Sequence, residues 1–414
     1  MANINNLPQE VLLKIFAVYR ETHTQRNFIN NVANVCHYWK ELCMDASLWN
    51  IFDGTLPFKI LKEFCWRGYL KHTEILIISK MENSSDSKDL KLIYQNMPAV
   101  KKVNFTNVLK KIDQLECLCF FSDLVEYCPK LQEIILNEAN PSLKSFASVT
   151  SYYAFERFIY MRGSKLISLD FSNVSFEGIL NLFSIIGSTC PNLERLKACN
   201  LHSSLHIFPI EDIQNGLRKL KVLHLGFNVI LAFISTSLSP GFPELVTFSY
   251  PCIGNTQCIS DLSFKKLLMK SPYLKELDIR GCSNVSAHSL CSLPAANLEK
   301  LYVSYTKLCL SKDFDNVLQK WSHSLIELDI SKQESAINDC LLSFVSSGSF
   351  QTLVSLNVNN TLVKMSTVKV IIENCPKLNY LQLESGKDFA RRTHRGKIAI
   401  QELLSRLNDD VEIT

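Results

Sequence analysis

Residues 274–286 read LKELDIRGCSNVS and carry the pattern that decides the fold. Leu274, Leu277 and Ile279 occupy the first, fourth and sixth positions of this stretch. That spacing fits a short strand whose apolar side chains point to one side while the polar side chains between them point to the other. A strand this short cannot bury its apolar side alone, so we expect it to pack against further copies of itself.

The same LxxLxL frame recurs along most of the chain at intervals of 24 to 29 residues. A period of about 20 to 29 residues is typical of leucine-rich repeats, each with one strand and one helix. The frames begin at Leu166, Leu193, Leu220, Leu245, Leu274, Leu298, Leu325, Leu353 and Leu378, and weaker ones at Val100 and Leu131. The sequence therefore predicts an α/β fold, a solenoid with parallel strands on its concave face and helices on its convex face.

The charge of the chain is nearly balanced, with a formal net charge of +4 over 414 residues. Binding to nucleic acid or to an anionic membrane needs clustered Lys and Arg, so neither partner is predicted. No uncharged apolar run approaches the roughly 18 residues that cross a bilayer. The N-terminus lacks the basic start and apolar core of a signal peptide, so we expect an intracellular protein, cytoplasmic or nuclear, whose 15 cysteines are reduced.

Residues 3–53 do not follow the repeat and predict three short helices. The segments are LPQEVLLKIF, then FINNVANVCHYWKEL, then DASLW. Pro8 suits a first helical turn, and the apolar residues after it recur at helical spacing. A segment of about 50 residues with so many large apolar side chains buries little of its own surface, so we expect it to dock on a partner.

The order of these elements resembles the F-box: LP, an E-V-L-x-x-I-F helix, V-C-x-x-W, then L-W. The gap between Leu7 and Val35 is longer than is usual for the family. The resemblance implies binding to a Skp-type adaptor and, through it, to a cullin, in a non-catalytic subunit of a ubiquitin ligase that recognises a protein substrate. It assigns ten residues to adaptor binding, at adaptor-facing or core positions of the motif: Leu7, Pro8, Val11, Leu12, Ile15, Phe16, Val35, Trp39, Leu48 and Trp49. A helical cap on the solenoid is the alternative.

The predicted domains are the F-box over 1–55, the repeats over 56–385 and a capping segment over 386–414. Capping covers the open end of a repeat stack. The predicted apolar face of the last helix consists of Ile398, Leu403, Leu404 and Leu407. A basic run precedes that helix, formed by Arg391, Arg392, His394, Arg395 and Lys397. It could bind an anion, but a solvated loop is the favoured interpretation.

The sequence contains no motif for nucleotide binding, serine hydrolysis or zinc proteolysis, so neither catalysis nor a cofactor is predicted. His202 and His206 have helical spacing in a loop context, and we do not expect a metal site there. Cys252 and Cys258 lack a second pair and are interpreted as incidental thiols.

Polar residues of the most regular frames predict a substrate surface on the concave side. The third and fifth positions of the frames at Leu274, Leu298 and Leu325 hold Glu276, Asp278, Lys300, Tyr302, Glu327 and Asp329. An aromatic side chain among charges is typical of an interface anchor. An ordinary polar face is the alternative. Two functions remain open: a substrate receptor of a ubiquitin ligase, or a non-degradative scaffold that binds proteins through its repeats.

Overall fold

The structure of the chain is a computed structural model. It describes residues 4–78, 87–106, 114–137, 149–174, 181–201, 205–226, 228–234, 239–253, 258–332, 337–346, 351–383 and 393–409. The chain forms two compact units, Met1–Leu205 and His206–Thr414. In both units short strands alternate with helices along the chain, as the leucine frames predict. No helix among these residues is long and apolar enough to cross a bilayer.

The first unit begins with a helical head, defined here as residues 4–55. Its helices are α1 (Gln9–Thr22), α2 (Gln25–Asn31) and α3 (His37–Leu42), followed by a 3-10 turn over Ala46–Trp49. The sequence analysis was wrong to extend one helix from Phe28 to Leu42, because the chain leaves the helix between Asn31 and His37. There the side-chain amide of Asn34 donates to the carbonyl oxygen of Asn30 at 2.9 Å, a local bond of the kind that competes with helix formation.

Aromatic packing joins the head to the first repeat. The ring of Trp49 makes edge contacts with Phe28 in the head and with Phe64 in α4, the helix Phe58–Arg67. The indole Nε1 of Trp49 donates to the carbonyl oxygen of Cys43 at 2.9 Å, and Thr73 Oγ1 donates to the carbonyl oxygen of Trp49 at 2.7 Å. Because this fully buried indole contacts side chains of both the head and the first repeat, the two form one packed body.

The first unit contains a parallel sheet of strands in chain order. Its remaining elements are β1 (Ile51–Phe52), β2 (Ile75–Ile77), α5 (Ser87–Asn96), β3 (Lys102–Asn104), α6 (Gln114–Tyr127), β4 (Glu133–Ile135), α7 (Val149–Arg162), β5 (Ser168–Asp170), α8 (Leu182–Thr189) and β6 (Arg195–Ala198). Strand β1 pairs in parallel with β2 and was not predicted from the sequence. The long helix α7 occupies the enlarged interval between the frames at Leu131 and Leu166.

The second unit contains the most regular repeats. Its elements are β7 (His206–Pro209), α9 (Ile210–Gly216), β8 (Val222–Leu225), β9 (Val229–Ala232), β10 (Thr247–Ser249), α10 (Asp261–Leu268), β11 (Glu276–Asp278), α11 (Ala287–Cys291), β12 (Lys300–Tyr302), α12 (Phe314–Trp321), β13 (Glu327–Asp329), α13 (Asn338–Ser346), β14 (Ser355–Asn357), α14 (Met365–Asn374), β15 (Tyr380–Gln382), β16 (Thr393–Arg395) and α15 (Lys397–Asp409). Strands β8 and β10 to β15 pair in parallel, and β7 pairs with β9 separately.

Every strong frame forms a strand that begins two residues after its first leucine, which confirms the predicted repeat. The central leucines lie opposite one another across the sheet, so that Leu277, Leu301 and Leu328 continue one apolar row. All three are buried. Burial of one face sets the register, because a slip by one residue would move each leucine to the polar face.

Each strand of the regular repeats leads into the same kind of turn. The fifth frame position is often Asp or Asn, whose Oδ1 accepts the backbone N–H two residues later, as at Asn104, Asp170, Asp329 and Asn357. In six of the described repeats the eighth position adopts a left-handed backbone. The residues found there are Asn173, Asn200, Gly281, Tyr305, Lys332 and Asn360.

The end of the second unit differs from the prediction in two respects. Residues 393–395, assigned to a solvated loop, form β16, which pairs antiparallel with β15 and so satisfies the edge of the sheet. The apolar face of α15 contains Ile400, which is 4% exposed, rather than Ile398, which is 75% exposed. Leu403 and Leu407 are buried as predicted. Arg391 and Arg392 lie outside the described residues.

Candidate functional site

The head exposes a set of large apolar side chains on its outer surface. Val11, Ile15 and Val18 recur on one face of α1 at helical spacing, and all three are exposed. The set, called the head patch, consists of Ile4, Leu7, Val11, Ile15, Val18, Val35 and Tyr38. Exposed apolar residues gathered on one small domain mark a protein-binding surface more often than a solvated one.

Trp39 connects α3 and the N-terminal turn of the head to α1. Its ring packs edge-on against Phe16 of α1 at 5.0 Å between centroids, and its Nε1 donates to Oδ1 of Asn5 at 2.8 Å. These contacts hold α3 and the N-terminal turn against α1. Tyr38 lies on α3, and Val35 lies two residues before α3 begins.

The structure divides the ten predicted adaptor-binding residues into two groups. Leu7, Pro8, Val11, Ile15 and Val35 are exposed, and Trp39 is half-buried. The other four, Leu12, Phe16, Leu48 and Trp49, are buried, so they hold core positions of the motif rather than adaptor-facing ones. They lie on the inner side of their helices and form the core of the head. Ile4, Val18 and Tyr38 were not predicted, although the spacing of Val18 from Val11 signals the same helical face.

The predicted substrate residues come together on one face of adjacent strands. Glu276, Lys300 and Glu327 lie in register across β11, β12 and β13, and Asp278, Tyr302 and Asp329 form the next row. Lys300 Nζ lies 3.0 Å from Oε1 of Glu327. Tyr302 Oη donates to Oε2 of the same carboxylate at 2.6 Å. The two oxygens of Glu327 are therefore both occupied by neighbours within the sheet.

The carboxylates of Asp278 and Asp329 both take part in the fold. Asp278 is only 6% exposed and accepts two hydrogen bonds from the guanidinium of Arg280, at 2.9 and 2.8 Å. It also accepts one from Ser249 Oγ at 3.2 Å. Asp329 uses Oδ1 for the turn that follows β13. Asp278 is thus a buried structural acid, while Arg280, which the sequence analysis did not single out, reaches the surface.

Charge and burial act together on the Tyr302 and Glu327 pair. Burial raises the pKa of Tyr302, and its hydrogen bond to Glu327 raises that pKa further. Burial alone would raise the pKa of Glu327, but the hydrogen bonds from Tyr302 and Lys300 outweigh it and lower the pKa. The hydrogen bond to Glu327 raises the pKa of Lys300. Near neutral pH the tyrosine is therefore protonated and donates to an ionised glutamate.

Cys252 and Cys258, interpreted as incidental thiols, lie close to Cys282. Cys282 Sγ donates to the carbonyl oxygen of Tyr250 at 3.2 Å, and Cys258 Sγ donates to that of Gly281 at 3.3 Å. Hydrogen bonding from Cys282 lowers the pKa of Cys252 to about 7, and hydrogen bonding from Cys258 also lowers it, against the effect of burial. Among the residues that the structure describes, no group of three or more His, Cys, Asp or Glu side chains is arranged to hold a metal. His202 lies outside those residues, and His206 is buried in β7.

Residues 4–53 match the protein family described as F-box-like. The fold is similar to a chain in the crystal structure of a Rad7 and Elc1 complex in yeast, with a TM-score of 0.52 and 15% sequence identity over 92% of this chain and 91% of that chain. No curated protein sequence matches the chain. The head is therefore an F-box-like domain, and it is followed by a mostly parallel sheet with helices, built from leucine-rich repeats.

Proposed function

We propose that the chain is the substrate-recognition subunit of a Skp-cullin-F-box ubiquitin ligase. The head patch binds a Skp-type adaptor and through it a cullin, while the repeats bind a protein substrate. The observation that carries the proposal is the row of exposed apolar residues on α1 of an F-box-like domain. The subunit itself is non-catalytic and acts in the cytoplasm or the nucleus.

The division of α1 into two faces supports the adaptor half of the proposal. Leu12 and Phe16 fill the core of the head, so the exposed Val11, Ile15 and Val18 are not needed to hold the domain together. Removing such side chains from water on binding contributes about 25 cal/mol per Å² of apolar area. Adaptor binding would thus use a surface that folding leaves free.

The junction between the head and the repeats supports the role of a rigid connector. Besides the Trp49 contacts, Gln25 Nε2 donates to the carbonyl oxygen of Ile51 at 2.7 Å. The backbone N–H of Gln25 also donates to Asp53 Oδ2 at 2.7 Å. These bonds attach α2 to the start of the sheet. A substrate receptor needs such a connection, because ubiquitin transfer requires the substrate to be held at a defined position relative to the ligase.

Purified adaptor gives a direct test of the proposal. The double variant Val11→Glu with Ile15→Glu places two charges in the head patch and should reduce capture of a purified Skp-type adaptor by at least about tenfold. Trp66→Glu is the matched control, because Trp66 lies outside the patch on α4 and is 85% exposed. Both variants should unfold at the same temperature as the native chain. Adaptor capture at native strength by the double variant would refute the proposal.

A further inference from the structure

The turn after β12 lacks the Asp or Asn that many of the other turns use. Its fifth frame position is Tyr302 and its eighth is Tyr305, which has a left-handed backbone with φ of 56°. In the next repeat Lys332 occupies the eighth position with φ of 59°. Asn and Gly adopt this conformation readily, whereas Tyr and Lys crowd the backbone there. These two positions therefore store local strain that Asn would relieve.

The contacts of the two side chains within the fold do not explain the choice of Tyr and Lys. Tyr305 is 46% exposed, and the ammonium of Lys332 lies 5.8 Å from the centroid of its ring. The backbone bonds of the two residues, from Tyr305 N to Ser331 O and from Lys332 N to Asn359 O, would form with any side chain. Local strain that folding does not require is a signature of a functional position.

A second aromatic and cation pair lies beside the first. The guanidinium carbon of Arg280 lies 5.8 Å from the ring centroid of Tyr302, on the neighbouring strand. Together with the exposed Lys307, these residues form the edge cluster: Arg280, Tyr302, Tyr305, Lys307 and Lys332. It spans the carboxyl ends of β11, β12 and β13. Tyr and Arg are the residues most often found at the energetic centre of protein interfaces.

The charges of the edge cluster indicate the chemistry of its ligand. Arg280 is neutralised by Asp278 and serves to hold the ring of Tyr302. Within the described residues, no carboxylate forms an ion pair with Lys307 or Lys332. Lys332 lies beside the exposed ring of Tyr305, and Lys307 is exposed two residues after that ring, so two positive charges adjoin the aromatic side chain.

We propose that the edge cluster binds an acidic peptide segment of the substrate. Carboxylates of the segment pair with Lys307 and Lys332, and an aromatic or aliphatic side chain between them packs on the ring of Tyr305. The inference rests on the proposed function for the identity of the ligand as a substrate segment, but the peptide-binding site itself does not require the adaptor.

The test replaces Tyr305 and Lys332 with Asn, because Asn adopts the left-handed backbone of these two positions with less strain. Tyr305→Asn and Lys332→Asn should each leave the melting temperature of the full chain equal to or above that of the native protein. Each should also weaken binding of a short fluorescein-labelled peptide of alternating Glu and Phe by about tenfold or more, measured by anisotropy at low salt. A Gln-for-Glu peptide and a Lys-for-Glu peptide should not bind the native chain.

The reverse substitution gives the matched control. Asn173→Tyr introduces a tyrosine at the equivalent left-handed position of another repeat, where φ is 60°. It should lower the melting temperature and leave peptide binding unchanged. Three results would each overturn the proposal. The first is a lower melting temperature for Tyr305→Asn than for the native chain. The others are unchanged peptide binding by both variants and equal binding of the Glu and Lys peptides by the native chain. Adaptor capture should be native in all of these variants, so failure of this site is distinguishable from failure of the adaptor proposal.

Discussion

The hydroxyl of Tyr302 donates a 2.6 Å hydrogen bond to Oε2 of Glu327 on the adjacent strand. Because Lys300 pairs with Oε1 of the same carboxylate, both oxygens are held and the ionised form is favoured. A cross-strand pair of this kind contributes to the sheet as well as to any surface that it presents. Loss of either partner should therefore change stability in a way that depends on pH.

The pKa of Glu327 is lowered from 4.5, so its ionisation favours the folded state. This contribution is fully present above the unfolded pKa and is lost as the pH falls through the folded pKa. Glu327→Gln should thus be less stable than the native chain near pH 7, and the difference in unfolding free energy should be smaller at about pH 3. Urea unfolding of both proteins at the two pH values tests the sign. A constant difference would contradict it.

Neighbouring residues of β12 should respond differently to truncation. Leu301→Ala removes a buried leucine from the apolar row and should cost about 2 to 5 kcal/mol of unfolding free energy. Tyr302→Ala loses a partly buried ring and one charged hydrogen bond, so we expect a cost of about 1 to 2 kcal/mol of unfolding free energy. Denaturant unfolding compares the two. Equal losses would mean that the assigned faces of the strand are wrong.

Adjacent residues of α1 should separate folding from adaptor binding. Leu12→Ala, in the core of the head, should cost about 2 to 5 kcal/mol of stability. Val11→Ala, on the exposed face, should change stability by less than about 0.5 kcal/mol but weaken adaptor capture. Chemical unfolding and adaptor titration should be measured on both variants. A stable Leu12→Ala protein would place the boundary of the core elsewhere.

The terminal helix offers the same kind of comparison. Ile400→Ala should destabilise the second unit by about 2 to 5 kcal/mol, because Ile400 lies on the buried face of α15. Ile398→Ala should have almost no effect, since that side chain is exposed. Thermal unfolding of the two variants distinguishes this face from the one predicted by sequence. A larger effect at Ile398 would reverse the assignment.

Two glycines with left-handed backbone should differ in their tolerance of a side chain. A Cβ at Gly281 would lie 2.6 Å from the backbone nitrogen of Ile253, whereas a Cβ at Gly396 would meet nothing within 4 Å. Both alanine variants bear the conformational cost of about 1 to 2 kcal/mol. Gly281→Ala should be the more destabilised by a further margin of at least about 1 kcal/mol, as judged by urea midpoints. Equal midpoints would show that the neighbouring loop yields freely.

The strands and their register could be predicted from the sequence because one side of each is buried. A frame with three apolar residues at fixed spacing has only one orientation in which all three leave water, as Leu274, Leu277 and Ile279 illustrate. Helix α7 and the short head could likewise be predicted from interval and motif. Strand β1 could not, since two residues carry too little pattern to be distinguished from a loop.

Local periodicity was enough to predict the repeat, its register and the F-box-like head. Which apolar residues remain exposed depends instead on how the elements pack against one another. Val11 and Leu12 are chemically alike, yet Leu12 is buried in the core of the head and Val11 is exposed. The structure likewise made Asp278 a buried acid, which accepts hydrogen bonds from Arg280 and from Ser249 on the neighbouring strand. Such outcomes depend on which groups meet in space, and residues distant in sequence leave no local periodicity that records them.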